Sequence, residues 1–237
     1  WKESIPFILS SGEIIEVNIF VLLLSYSRFR VYRVSLSKTQ DILFSFLDDA
    51  FETLGGIPDE IVTDNMKTVM DEARTEYYAG KVNNKFQQFA DDYGFKVQPC
   101  IAGHPHTKAK VEAPMKILDE IRAYNGKLNY IELVELVTRI NNRVNTQVNQ
   151  GTGRIPLMYY NKEKAFLNSL PADNIRKPYQ ITTNTVKVNH SSMFNYKSCQ
   201  YSVPPEYIDK IVSLQVYDGY IHVYLSLIHI SEPTRHS

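Results

Sequence analysis

The chain of 237 residues carries 26 Lys and Arg against 26 Asp and Glu, and is formally neutral at pH 7. Its 43% apolar and 12% aromatic content excludes a disordered chain and suits one large domain, or one domain with a small companion. Two distant cysteines, Cys100 and Cys199, form no CxxC pair, which argues against a disulfide framework or zinc site and fits a reducing cytosol.

No apolar run is long enough to span a membrane, and Ile19–Leu24 reads as a buried strand. No secretory signal is visible. The chain opens without a methionine, so further N-terminal sequence is expected. Charge is unevenly spread. Residues 1–60 hold 5 basic and 9 acidic side chains, whereas residues 105–177 hold 12 basic and 7 acidic. That asymmetry is compatible with a polyanion along one face, and equally with ordinary solvated helix faces.

Residues 1–9 read as a strand, Ser10-Ser11-Gly12 as a turn, and Ile14–Ser25 as a long apolar strand. Phe29–Val34 alternates apolar residues with arginines, the pattern of a half-exposed strand near an edge. Together they predict an antiparallel three-stranded meander. Lys38–Leu54 has helical apolar spacing (Ile42, Leu43, Phe46, Leu47, Ala50, Phe51, Leu54) and is ended by Gly55-Gly56-Ile57-Pro58. Glu60–Thr63 is a short strand running into Asp64-Asn65. Residues 66–82 are polar and read as an irregular excursion. Asn84–Tyr93 is a helix stopped by Gly94, and Phe95–Pro99 a further strand.

The stretch GHPHTKAKVE, Gly103 to Glu112, leads into a helix with Val111, Met115, Leu118 and Ile121. Leu128–Val148 is a second helical segment, suited to core packing or to assembly. Gly151–Pro156 breaks the pattern, Asn161–Leu170 reads as a short helix, and Pro171–Pro178 as a linker. From Tyr179 short alternating strands predict a small all-β barrel. The order of elements is that of an α/β domain with mixed strand directions.

Asp64 lies at the C-terminal end of a short strand, where an open α/β sheet places its binding crevice. Glu112 follows the loop after the next strand. Carboxylates converging there offer the hard oxygen ligands that Mg²⁺ or Mn²⁺ prefers. Asp-Asn is also a common turn pair, and Glu112 is also a glutamate favoured in a helix's first turn. Spacing alone leaves both readings open.

The run GGIPDEIVTDNMKT, NNKFQQFADDYGFKVQPC and HPHTKAKVE closely resembles the catalytic core of DDE transposases and retroviral-type integrases. It is most similar to IstA-like insertion-sequence transposases, and GTGRIPL resembles the end of such a core. The resemblance covers about residues 1–170 and implies an RNase H-like mixed sheet with flanking helices, followed by a small all-β barrel at 179–224, with 171–178 as linker. It implies Asp64 and Glu112 as catalytic, metal-binding carboxylates and two Mg²⁺ (or Mn²⁺) ions in the complete site. It implies DNA contacts at Lys108, Lys110, Thr107, Asn65 and Lys67, with His104 and His106 weaker candidates. The implied partners are double-stranded DNA at transposon ends and target, an AAA+ ATPase helper, and further copies of the chain on DNA. The implied setting is the bacterial cytosol, with no membrane.

Two departures are local: Ala109 stands where the family usually has glycine, and Pro114 lies just after Glu112. Another is larger. The family's first aspartate, in a Val-Asp-Trp pattern, would fall immediately before Trp1, so two of three carboxylates are expected within these residues and the 237 residues alone are expected to be inactive. A family DNA-binding domain is expected upstream. Leu225–Arg235, LSLIHISEPTR, matches the conceptual translation of a sequencing-library adapter, and residues 225–237 are set aside from the expected fold. Alternatives are a non-catalytic DNA-binding remnant and a carboxylate-pair hydrolase acting on sugars. The second leaves the lysine-rich loop unexplained.

Overall fold

The computed structural model describes residues 2–101, 115–116, 118–217, 219–224, 230–231 and 234–235. The chain opens with β1 (Lys2–Ile8), β2 (Ile14–Leu23) and β3 (Arg30–Ser35), the expected antiparallel meander. The long apolar run of β2 is explained by cover on both faces. Val17 and Ile19 point into one cluster with Ile5, Phe7 and Tyr32. Phe20 and Leu24 point into another with Val31.

Helix α1 (Gln40–Leu54) closes the Phe20 face with Phe46, Leu47, Ala50 and Phe51. It ends at Gly55, whose φ of 64° is a left-handed conformation that costs glycine nothing. Helix α3 (Tyr130–Thr146) closes the opposite face with Leu133, Leu136, Val137 and Ile140. It starts at a capping box in which Asn129 and Glu132 exchange side-chain-to-backbone bonds. Core packing is thus the use this helix makes of its apolar face.

One face of α3 also covers an exposed backbone. Asn145 Oδ1 accepts the Arg30 N–H at 3.0 Å, and its Nδ2 donates to the Arg30 carbonyl at 2.8 Å. One turn earlier, Asn141 Oδ1 accepts the Tyr32 N–H at 3.2 Å. The free edge of β3 is therefore paired by amide side chains rather than left to solvent. Arg30 is itself buried, although the alternation of β3 predicts a solvent-facing arginine, because its side chain shares the Tyr32 face that α3 closes.

Strands β4 (Glu60–Thr63) and β7 (Lys96–Pro99) pair in parallel, Ile61 opposite Val97 and Thr63 opposite Pro99. The crossover between them holds α2 (Asn84–Tyr93), capped by the Asn83 side chain and stopped at Gly94. Phe86, Phe89 and Tyr93 of α2 join Phe44, Phe51 and Phe95 in one aromatic core. The crossover also contains a short antiparallel hairpin, β5 (Met70–Glu72) and β6 (Lys81–Val82), where the sequence suggests only an irregular excursion. Buried Val69 and Met70 anchor it to the core.

Leu118–Tyr124 is a 3-10 turn rather than the continuous α-helix expected there. Helix α4 (Pro156–Glu163) starts earlier than the sequence suggests, because Pro156 sits at its first turn, where no amide is needed. Residues 171–178, expected as a linker, instead form α5 (Asp173–Arg176) and a 3-10 turn seated on α1 and α2.

The C-terminal module is all-β. Strands β8 (Thr183–Lys187), β11 (Ile211–Tyr217) and β12 (Tyr220–Tyr224) form one antiparallel sheet, and β9 (Met193–Tyr196) and β10 (Cys199–Ser202) a hairpin. Val188, Phe194, Val203, Val212, Leu214 and Val223 fill the space between them. Two-residue strands β13 (Ile230–Ser231) and β14 (Thr234–Arg235), within residues 225–237, pair with β12 and β10 respectively.

Candidate active site

The candidate site is built where β4 and β7 end. Parallel pairing brings both C-terminal ends to one edge, and the ladder closes with the Cys100 N–H donating to the Thr63 carbonyl at 2.8 Å. Asp64 is the first residue beyond β4 and is exposed. Its Oδ1 accepts the Asn65 N–H at 2.8 Å, a turn bond that holds the carboxylate close to the strand end. An exposed carboxylate at this position has the donor chemistry of a ligand for a hard divalent cation.

Asn65, expected as a DNA contact, bonds within the chain through its side-chain amide. Its Nδ2 donates to the Cys100 carbonyl at 2.9 Å, and its Oδ1 accepts the Arg74 N–H at 3.0 Å. Both ends of the side-chain amide are thus committed to backbone. Arg74, from the hairpin, donates from Nη1 to the Pro99 carbonyl at 3.0 Å. Arg74 was not legible as part of the site: nothing in EARTE distinguishes it from a solvated arginine. Lys67 is exposed in the segment that leaves β4.

Glu112, Lys108, Lys110, Thr107, His104 and His106, with Ala109 and Pro114, lie outside the described residues. The structure therefore places one of the two expected carboxylates, together with Asn65 and Lys67. Among the described residues no group of three His, Cys, Asp or Glu side chains is arranged to hold a metal ion. Among them, too, no helix is long and apolar enough to cross a membrane.

Residues 7–105 match the family described as integrase core domain, and residues 174–231 match Mu transposase, C-terminal domain. A transposase for insertion sequence element IS232 of Bacillus thuringiensis subsp. berliner is 59% identical over 224 residues, covering 94% of this chain and 52% of that protein. A relative from insertion sequence element IS5376 of Geobacillus stearothermophilus is 31% identical over 227 residues, covering 94% of this chain and 55% of that protein. The chain spans about half the length of these curated relatives. Among solved structures it is similar to a chain of the simian T-cell lymphotropic virus intasome in complex with PP2A regulatory subunit B56 gamma. That match has a TM-score of 0.49 and 15% identity, covering 99% of this chain and 78% of that one.

Proposed function

We propose, from the premise that this chain carries an integrase core domain and belongs with the insertion-sequence transposases, that it is the catalytic part of a DDE transposase. The observation that carries the reading is the position of Asp64 at the end of β4, beside the end of β7 from which the chain runs on to Glu112. Two short parallel strands bring the exits of β4 and β7 to one edge of the core.

On this reading Asp64 and Glu112 hold divalent metal together with a third carboxylate. Mg²⁺ or Mn²⁺, when bound, supplies charge neutralisation at the scissile phosphate. The reaction has two displacements. A water oxygen bonds to phosphorus at the transposon end and the 3′ oxygen leaves, taking up a proton. That 3′-hydroxyl then bonds to a target phosphorus and displaces the target's own 3′ oxygen. The chain's contribution is positioning and electrostatics, as phosphoryl transfer demands. Lys108, Lys110, Thr107, Lys67 and His104 are proposed to hold DNA phosphates or sugars, which fixes register without reading sequence. Two of the three carboxylates of the implied site lie within these 237 residues, which are proposed to be inactive by themselves. An AAA+ ATPase helper, assembly into a multimer on DNA, a cytosolic setting and a closed β-barrel at 179–224 belong to the same proposal.

The test uses the full-length reading frame that contains this chain, with double-stranded transposon ends and Mg²⁺ or Mn²⁺. Asp64→Asn and Glu112→Gln each abolish end nicking and strand transfer while DNA binding persists. Nicking at parental rates by Asp64→Asn would remove the assignment and leave the non-catalytic DNA-binding reading.

A further inference from the structure

We infer that Asn65 is a positioning residue for the metal-binding carboxylate Asp64 rather than a DNA contact. The inference rests on the transposase reading above and assigns Asn65, with Arg74, a role within that site. Strands β4 and β7 are four residues each, and among the described residues each has only the other as a ladder partner. Their last backbone rung joins Thr63 and Cys100 at 2.8 Å. Beyond it the ladder has ended, and Asp64 would hang from a short strand free to fray.

Asn65 takes over at that point. Its amide donates to Cys100 and accepts from Arg74, joining the exit of β4, the exit of β7 and the outgoing hairpin in one side chain. The Arg74 guanidinium adds the bond to the Pro99 carbonyl. Asp64 therefore sits between two anchored residues, Thr63 in the ladder and Asn65 in the clamp. The β7 exit, held by the same clamp, is the segment that continues toward Glu112. The clamp fixes Asp64 relative to the exit of β7.

The chemistry selects asparagine. One planar group must donate on one side and accept on the other. An aspartate could still accept the Arg74 N–H, but it would turn an oxygen toward the Cys100 carbonyl. An alanine would release both partners. Groups that orient metal ligands typically cost about 10–100-fold in metal affinity or activity when removed.

The experiment measures end nicking by the full-length protein against Mg²⁺ concentration, with DNA affinity and melting temperature measured in parallel. Asn65→Asp is expected to raise half-saturating Mg²⁺ about ten-fold or more, with DNA affinity and Tm near the parent. Arg74→Gln, which loses only the Pro99 bond, is expected to shift it a few-fold in the same direction. It carries the test if Asn65→Asp does not fold. A loss of DNA affinity with an unchanged Mg²⁺ requirement would overturn the inference and restore Asn65 as a DNA contact. A lowered Tm with an unchanged Mg²⁺ requirement would overturn it in favour of a purely structural bond. Asp64→Asn run alongside separates the two claims. If it still nicks DNA, the site itself is wrong. If it is dead while both clamp variants keep the parental Mg²⁺ curve, only the clamp is wrong.

Discussion

The Arg176 guanidinium holds both carboxylate oxygens of Asp48, Nε at 2.7 Å from Oδ1 and Nη2 at 3.1 Å from Oδ2, across 128 residues of sequence. Tyr93 donates its hydroxyl to the same carboxylate at 2.8 Å and Gln180 its amide at 2.7 Å, while Arg176 also reaches Glu52 at 2.8 Å. Next to this cluster Tyr179 donates its hydroxyl to Asp92 and packs edge-on against Phe44, Phe89 and Tyr93. A carboxylate 1% exposed and a guanidinium 7% exposed are tolerable here because nearly every polar atom has a partner.

Removing one member therefore leaves a buried charge exposed to its own desolvation cost. Arg176→Ala is expected to destabilise the chain by about 3–5 kcal/mol, the range for a broken buried pair. Urea unfolding at neutral pH measures it. Replacing both charges together, as Asp48→Asn with Arg176→Gln, should cost less than the two single changes combined. Strict additivity would show that the two side chains are not coupled.

The same carboxyl carries a pH dependence. Burial raises its pKa, but the hydrogen bonds from Arg176, Gln180 and Tyr93 outweigh burial and hold it below the usual carboxylate range. A carboxyl depressed in the folded chain contributes stability that is present above its unfolded pKa, about 3.9, and is lost as pH falls through the folded value. The stability gap between the parent and Asp48→Asn should be full at pH 6 and narrow steadily below about pH 4. Unfolding curves at pH 6, 4 and 3 read it directly. A gap that stays constant would mean that Asp48 does not titrate with folding.

The amide cover on β3 gives a second site-directed expectation. Asn145→Leu keeps the volume but leaves the Arg30 N–H and carbonyl buried without partners, at about 1–3 kcal/mol for each orphaned group. Thermal melting gives the loss. Hydrogen exchange should accelerate at the Arg30 amide first, before the rest of the meander.

Gly80 controls the hairpin beside the candidate site. Its φ is +76°, and an added Cβ would lie 2.8 Å from both the Arg74 nitrogen and the Glu72 carbonyl oxygen. Gly80→Ala is expected to cost about 1–3 kcal/mol through strain and to splay the hairpin away from Asn65. Faster exchange of the Arg74 amide, which Asn65 accepts, is the diagnostic readout.

Much of this architecture was legible in the sequence, because it depends on local pattern. The meander follows from apolar runs punctuated by Ser10-Ser11-Gly12, and α1 and α2 from helical spacing closed by Gly55 and Gly94. Asp64 was legible at a strand end because the β-branched Ile61, Val62 and Thr63 mark a short strand just before it. What escaped reading depends on distant partners. Arg176 looked like a linker residue among Pro171, Asn174 and Pro178, since its partner Asp48 lies on the first helix. Arg30 looked solvent-facing because alternation cannot show that α3 will close its face. Asn65 could be assigned to DNA from motif resemblance, while its bonds to Cys100 and Arg74 exist only once β4 and β7 are paired.

The seating of residues 173–180 on the core has a mechanical consequence. Between Gln180, which is tied to Asp48, and the start of β8 at Thr183, only Ile181 and Thr182 remain. At no more than about 3.3–3.6 Å per residue, the three steps from Gln180 to Thr183 reach no further than about the thickness of a single helix. The β module cannot swing as a tethered ball would.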